Sequence, residues 1–97
     1  MADYGSRILR HQLSLSRPFI APRNTIEQTL AEIWCAALNI DCVGIEDEFT
    51  DLGGDSFDAE VVATMIDARF GFHISLSIVA STPTIASLAR EIERLRT

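Results

Sequence analysis

Residues 51–71 read DLGGDSFDAEVVATMIDARFG, two glycines followed by a run of mixed apolar and charged residues that closes on Gly71. Ser56 is placed to cap a helix, because a hydroxyl there accepts from the unpaired amides of the first turn, and Asp58 adds favourable charge to that turn. Gly71 suits the end of the helix after Phe70, since it enters the left-handed conformation without a Cβ penalty. Plotted at about 100° per residue, the apolar side chains form two stripes rather than one. Ala59, Val62, Ile66 and Phe70 make the first; Phe57, Val61, Met65 and Ala68 make the second, with Asp58 and Arg69 between them. A small bundle can bury one stripe as its core face. The other is either covered by the preceding loop or left outward as a docking surface beside an acidic rim.

Working outward, Asn24 or Thr25 offers a cap, with Glu27 or Gln28 three residues later to complete a capping box. Ile26, Leu30, Ile33, Trp34 and Leu38 then recur at helical spacing, which predicts a first helix over 25–38. From 39 to 55 the period is lost, and a long acidic loop carries Ile40, Val43, Ile45, Phe49 and Leu52 as anchors. Loops of that length are uncommon unless they do something. Gly53 and Gly54 give the backbone freedom to turn and let another molecule come close. Beyond the second helix, Leu76, Ile78 and Val79 predict a short third one. Thr82 or Thr84, around Pro83, opens a fourth with Ile85, Leu88, Ile92 and Leu95, ending near Arg94–Arg96. The expectation is an all-α, antiparallel four-helix bundle: three longer helices plus one short, with a long loop between the first two. Residues 1–23, with Ser14, Ser16, Pro18 and Pro22 and no sustained period, read as a flexible N-terminal arm or linker, and 24–97 as the domain.

The chain has 97 residues, 47% hydrophobic and 23% charged, with a mean hydropathy of +0.18, enough for one packed core and too little for a large enclosed active site. No apolar run approaches the roughly 18 residues of a membrane helix, and no secretory apolar segment opens the sequence, so a cytoplasmic protein is expected. Net charge is −6, and all 8 basic residues are arginine. The arm holds Arg7, Arg10, Arg17 and Arg23 against Asp3, a surplus of +3, which leaves −9 for the remainder. Between 41 and 60, Asp41, Glu46, Asp47, Glu48, Asp51, Asp55, Asp58 and Glu60 meet no basic residue in the sequence. Such a surface excludes nucleic acid and anionic membranes as partners and favours proteins with basic patches, or else is a solvated face. Cys35 and Cys42 alone make neither a zinc quartet nor a disulfide framework and are read as reduced, Cys35 as a small core hydrophobe. His11 and His73 stand apart from each other and from both thiols, so no metal site is expected.

Chemistry converges on residues 51–57. A serine at a helix start beside two glycines is exposed, open to a bulky visiting active site, and next to free amides that favour an anion such as a phosphodiester. No histidine or lysine in the segment could activate the hydroxyl. Ser56 is therefore an acceptor, and another protein must supply the base and any metal.

At this point the sequence resembles a family. Ala21 to Ile92 looks like the carrier (thiolation) domains of nonribosomal peptide synthetases, whose pattern overlaps with acyl carrier proteins of polyketide and fatty acid synthesis. Ala21-Pro22-Arg23, Glu27, Leu30, Ile33-Trp34 and Leu38 match the lead-in and first helix. Asp47-Glu48-Phe49 and Leu52-Gly53-Gly54-Asp55-Ser56 match the central signature, and Ala59, Val62, Phe70-Gly71, Leu76, Pro83-Thr84-Ile85 and Leu88-Ala89 follow in register. The resemblance implies an acyl-carrier-protein-like fold and no catalysis by the domain itself. It implies that a phosphopantetheinyl transferase moves 4′-phosphopantetheine from coenzyme A onto Ser56, with Gly54 and Asp55 as its neighbours at the site. Aminoacyl, peptidyl or acyl cargo would then travel as a thioester on that arm. The implied partners are an adenylation domain or separate acyl or aminoacyl ligase, and condensation, thioesterase or tailoring enzymes. They would read the second stripe, Phe57, Val61 and Met65, with Asp58 and Glu60 on its rim. The domain is expected to be monomeric.

Three departures from the family bear on packing and cargo. Phe57 stands where peptidyl carriers usually have Leu, Thr50 replaces a second aromatic, and Ala80 replaces a large apolar residue, so the loop and third helix should pack less tightly. The acidic start of the second helix is similar to acyl carriers of the fatty acid type. In the arm, Ser6-Arg7-Ile8-Leu9-Arg10 with Gln12-Leu13 is similar to the closing motif of adenylating domains, with Arg7 at their catalytic lysine. That fits either a stand-alone carrier descended from a fused protein or a boundary linker. Two rivals stand beside the carrier reading. Gly54-Asp55-Ser56-Phe57 also resembles the nucleophile block of Gly-Asp-Ser esterases, but Ile8 and Phe70, not aspartates, lie three residues before the histidines. The other rival is a helical interaction module in which Ser56 is only a cap.

Overall fold

Leu30, Ile33, Val62, Ile66, Ile85, Leu88 and Ile92 are fully buried and come from three different stretches of chain, which is what a helical bundle of this composition requires. The computed structural model describes residues 7–96. Within them the helices are α1 (Thr25–Leu38), α2 (Ser56–Phe70), the short α3 (Leu76–Ser81) and α4 (Ile85–Arg96). The architecture is the expected all-α four-helix bundle. α1 packs on both α2 and α4, and α3 closes the bundle by touching α2 and α4. Each large side chain moved from water into this core stabilises the fold by roughly 1.5–3 kcal/mol, which explains why the periodic stripes of α1 and α4 face inward, apart from Leu95 in the last turn of α4, which is exposed.

The helix ends are set locally. At α1 the Asn24 side chain accepts from the Glu27 amide at 2.9 Å. Glu27 does not close the box on Asn24; its carboxylate reaches one residue further, to the Arg23 amide at 2.8 Å and the Arg23 guanidinium at 2.6 Å. Asn39, at φ 58, ends α1, and Gly71, at φ 79, ends α2.

The long loop is anchored as its spacing predicts. Ile40, Val43, Ile45 and Leu52 are buried, and Phe49 meets Trp34 edge-on with ring centres 5.0 Å apart. Its backbone is tied to both neighbours: Ile45 accepts from the Ala86 amide at 3.0 Å, and the Phe49 amide donates to Pro83 at 2.8 Å. Apart from a single 3-10 turn (Arg10–Gln12), residues 7–23 form no helix, and they are attached along this loop. Ile8 pairs with Ile40 in an isolated parallel bridge, and the Ile45 amide donates to Ile20 at 2.9 Å. Nothing in the spacing of residues 7–23 predicts that attachment.

One packing expectation is corrected. Thr50 and Ala80 are both exposed, so a smaller residue at either position opens no void and loosens nothing in the core. Leu76, which opens the expected short third helix, is 42% exposed.

Candidate functional site

The start of α2 is built by residues 53–58. Asp55, not Ser56, is the N-cap: its carboxylate accepts from the Asp58 amide at 3.0 Å, while Asp58 reaches back to the Asp55 amide at 3.1 Å. This corrects the sequence expectation. The reason is that Asp58 lies three residues after Asp55 and can close a reciprocal box, whereas a Ser56 cap would place Ala59 there, with nothing to reach back. Ser56 thereby becomes the first helical residue. It is exposed, and its hydroxyl makes no hydrogen bond within the described chain.

The two glycines have separate tasks. Gly53 turns the chain at φ 92 with open space around it. Gly54 is needed from within: a Cβ there would run into the Phe49 ring, so its missing side chain admits this protein's own aromatic rather than a visitor. The Gly54 amide also donates to the Phe49 carbonyl at 2.9 Å.

The two stripes of α2 separate as drawn from the sequence. Ala59, Val62 and Ile66 are buried, with Phe70 half-buried beside Phe72. Phe57 is 70% exposed, Val61 and Met65 are half-buried, and Met65 also packs in part against the core. Phe57, Glu60, Val61, Thr64 and Met65 line a shallow depression of about 260 Å³. Thr64 was not anticipated, although it stands four residues after Glu60 on the same face. A second depression of about 220 Å³ shares Glu60 and Thr64 and reaches His73 and Leu76.

Charge divides along the loop. Glu46, Asp47 and Glu48 are met by Arg10 and Arg17 from the arm, so the acidic run read from the sequence is answered in space. Asp51, Asp55, Asp58 and Glu60 have no basic partner among the described residues, and the uncompensated negative charge gathers around Ser56 and the first turns of α2. Burial pushes both the Cys35 and Cys42 thiols up, which keeps them protonated and poorly nucleophilic. Among the described residues no cluster of histidine, cysteine and carboxylate side chains could hold a metal ion. His73 faces Asp67 at 3.2 Å rather than Ser56. The esterase reading loses its base, and the cap-only reading loses its cap. Of the arm motif, Arg7 is turned onto the Ile40 carbonyl at 3.1 Å, and Ser6 lies outside the described residues.

The family model described as "Phosphopantetheine attachment site" matches residues 28–92. Chondramide synthase of Chondromyces crocatus is 45% identical over 75 residues, covering 77% of this chain. This chain spans only 2% of that synthase's length. Among solved structures, a complex of the phosphopantetheine transferase Sfp with coenzyme A and a peptidyl carrier protein matches with a TM-score of 0.74 and 33% identity, covering 78% of this chain and 99% of that one. BlmI, a type-II acyl carrier protein of Streptomyces verticillus involved in bleomycin biosynthesis, matches with a TM-score of 0.72 and 26% identity, over 74% of this chain and 87% of that one.

Proposed function

This chain belongs to the phosphopantetheine attachment-site family, and we propose that it is a carrier of the peptidyl type, modified on Ser56 by a phosphopantetheinyl transferase with coenzyme A as donor. The observation that carries the assignment is the free hydroxyl at the first helical position, released from capping by Asp55. The residues fit the group. Ser56 is exposed, Gly53 borders open space, and the Ser56 and Phe57 amides, ahead of the Asp58 amide that Asp55 takes, are available to an anion. Asp55 and Asp58 hold the turn that presents the hydroxyl, and the transferase supplies base and metal, since no base among the described residues hydrogen-bonds to Ser56. When attached, the prosthetic arm supplies a terminal thiol on which cargo is carried.

The domain holds cargo at high effective concentration for enzymes that bind in turn: an adenylating domain or ligase first, then condensation, thioesterase or tailoring enzymes. The Phe57, Val61 and Met65 surface, rimmed by Asp58 and Glu60, serves as their docking face. Among the described residues no helix is long and apolar enough to cross a membrane. We place the domain in the cytoplasm because its donor is coenzyme A, and we propose that it acts as a monomer. The peptidyl type is supported by identity to chondramide synthase and by likeness to the peptidyl carrier bound to Sfp. A second reading, an acyl carrier of polyketide or fatty acid type, is supported by the acidic opening of α2 and by likeness to BlmI.

Incubation with coenzyme A, Mg²⁺ and a broad-specificity transferase is expected to add one phosphopantetheine, seen by intact mass, and Ser56→Ala to abolish the addition. An unmodified wild-type protein overturns the assignment.

A further inference from the structure

We propose that Arg10 is a positioning residue for modification of Ser56: through Asp47 it holds the acidic loop in the form that presents the serine, so that arm and attachment site act as one unit. The inference rests on the reading of Ser56 given above.

Arg10 grips Asp47 with two short bonds, Nε to Oδ2 and Nη2 to Oδ1, each 2.6 Å. The Asp47 side chain is fully buried and that of Arg10 is 13% exposed, which sets this pair apart from the screened contacts of the surface. The same Oδ2 accepts the Gly44 amide at 2.7 Å, so the carboxylate joins arm and loop backbone at one point. The arm is shaped around this grip. The Arg10 amide donates to Asp41 at 2.8 Å, its Nη2 donates to the Arg17 carbonyl at 3.2 Å, and its guanidinium lies 5.2 Å from the centre of the Phe19 ring. Arg17 in turn lies 3.7 Å from Glu46 and 3.6 Å from Glu48, flanking Asp47 on both sides.

From Asp47 to Ser56 the contacts are continuous. Phe49, two residues on, donates its amide to Pro83 and accepts at its carbonyl from Leu52 and Gly54. Its ring fills the space a side chain at 54 would need, and Gly54 leads directly to the Asp55 cap. Removing the guanidinium leaves a buried carboxylate with a single amide donor. Such a charge must hydrate, and hydration draws residues 44–48 outward and Phe49 with them. The serine's presentation then depends on a residue 46 positions earlier in the chain, through two arrangements of one loop rather than through contact.

The test uses the full chain as wild type, Arg10→Gln, Arg10→Lys and Ser56→Ala, at a temperature where circular dichroism shows all four folded. Transfer from coenzyme A is followed by mass, and amide hydrogen exchange by NMR. Arg10→Gln is expected to lower kcat/KM about tenfold, within the span seen for residues along such networks, and Arg10→Lys to lower it less. Exchange at the Gly44, Phe49 and Gly54 amides should rise about tenfold in Arg10→Gln while Ile33 and Leu88 keep wild-type rates, a pattern of local opening. Wild-type exchange at the three loop amides, or acceleration spread evenly over the core, overturns the proposal, and so does transfer at the wild-type rate. A wild-type protein that is never modified overturns the Ser56 reading instead, and the exchange pattern still decides whether Arg10 holds the loop.

Discussion

The starts of α1 and α2 use the same local device and put it to different ends. Each opens on an Asx side chain that accepts from an amide three residues later, and each has an acid at that later position. At α1 the acid, Glu27, is buried and clamped by Arg23. At α2 the acid, Asp58, closes on Asp55 alone, with no arginine paired to it among the described residues and an exposed serine and phenylalanine beside it. The first start is finished within the fold, its charge matched and its surface covered. The second is locally satisfied yet leaves a hydroxyl, an aromatic ring and unmatched negative charge facing outward, the combination expected where another protein binds.

That contrast can be broken at several points. The largest effect is expected at Gly54→Ala, where the new Cβ meets the Phe49 ring; thermal unfolding should show a loss of about 1–3 kcal/mol, and transfer to Ser56 should slow with it. A variant as stable as wild type would show that Phe49 is not needed to set the turn. Next come the caps: Asn24→Ala and Asp55→Ala should each cost about 1 kcal/mol by denaturant unfolding, but only Asp55→Ala should also impair transfer. Equal transfer in both would erase the distinction between the two starts.

Acid should act on the α1 side. The Arg23 guanidinium holds the Glu27 carboxyl below the usual carboxylate range, against the opposing effect of burial. A carboxyl with a depressed folded-state value contributes stability above its unfolded value and loses it as pH falls through the folded one. The melting temperature should therefore be flat from neutral pH to about pH 5 and decline below, less steeply in Glu27→Gln. The smallest effect on stability, within about 0.5 kcal/mol, belongs to Phe57→Asp, which should keep its helical spectrum while transfer falls. Unchanged transfer would remove Phe57 from the docking surface.

The bundle was legible because its signals are local. Thr25–Leu38 and Ser56–Phe70 follow from cap residues, helical spacing and Gly71, and the loop anchors follow from isolated apolar residues in an acidic stretch. The exposed second stripe of α2 was legible for the same reason, as a surplus of apolar positions. The cap at Asp55 was misread because serine and aspartate cap equally well, and only the pairing of 55 with 58 separates them. The grip of Arg10 on Asp47 was out of reach: the unequal charge of arm and loop is visible in composition, but no periodicity pairs side chains 37 residues apart. Gly54 was read as an opening for a visitor because a glycine in sequence does not say which neighbour needs the room.

Because Asp55 does the capping, Ser56 can be derivatised without undoing any contact that holds the domain together. Bare and modified forms should then share one body and melt alike. An enzyme that must tell them apart would then have to sense the appendage itself.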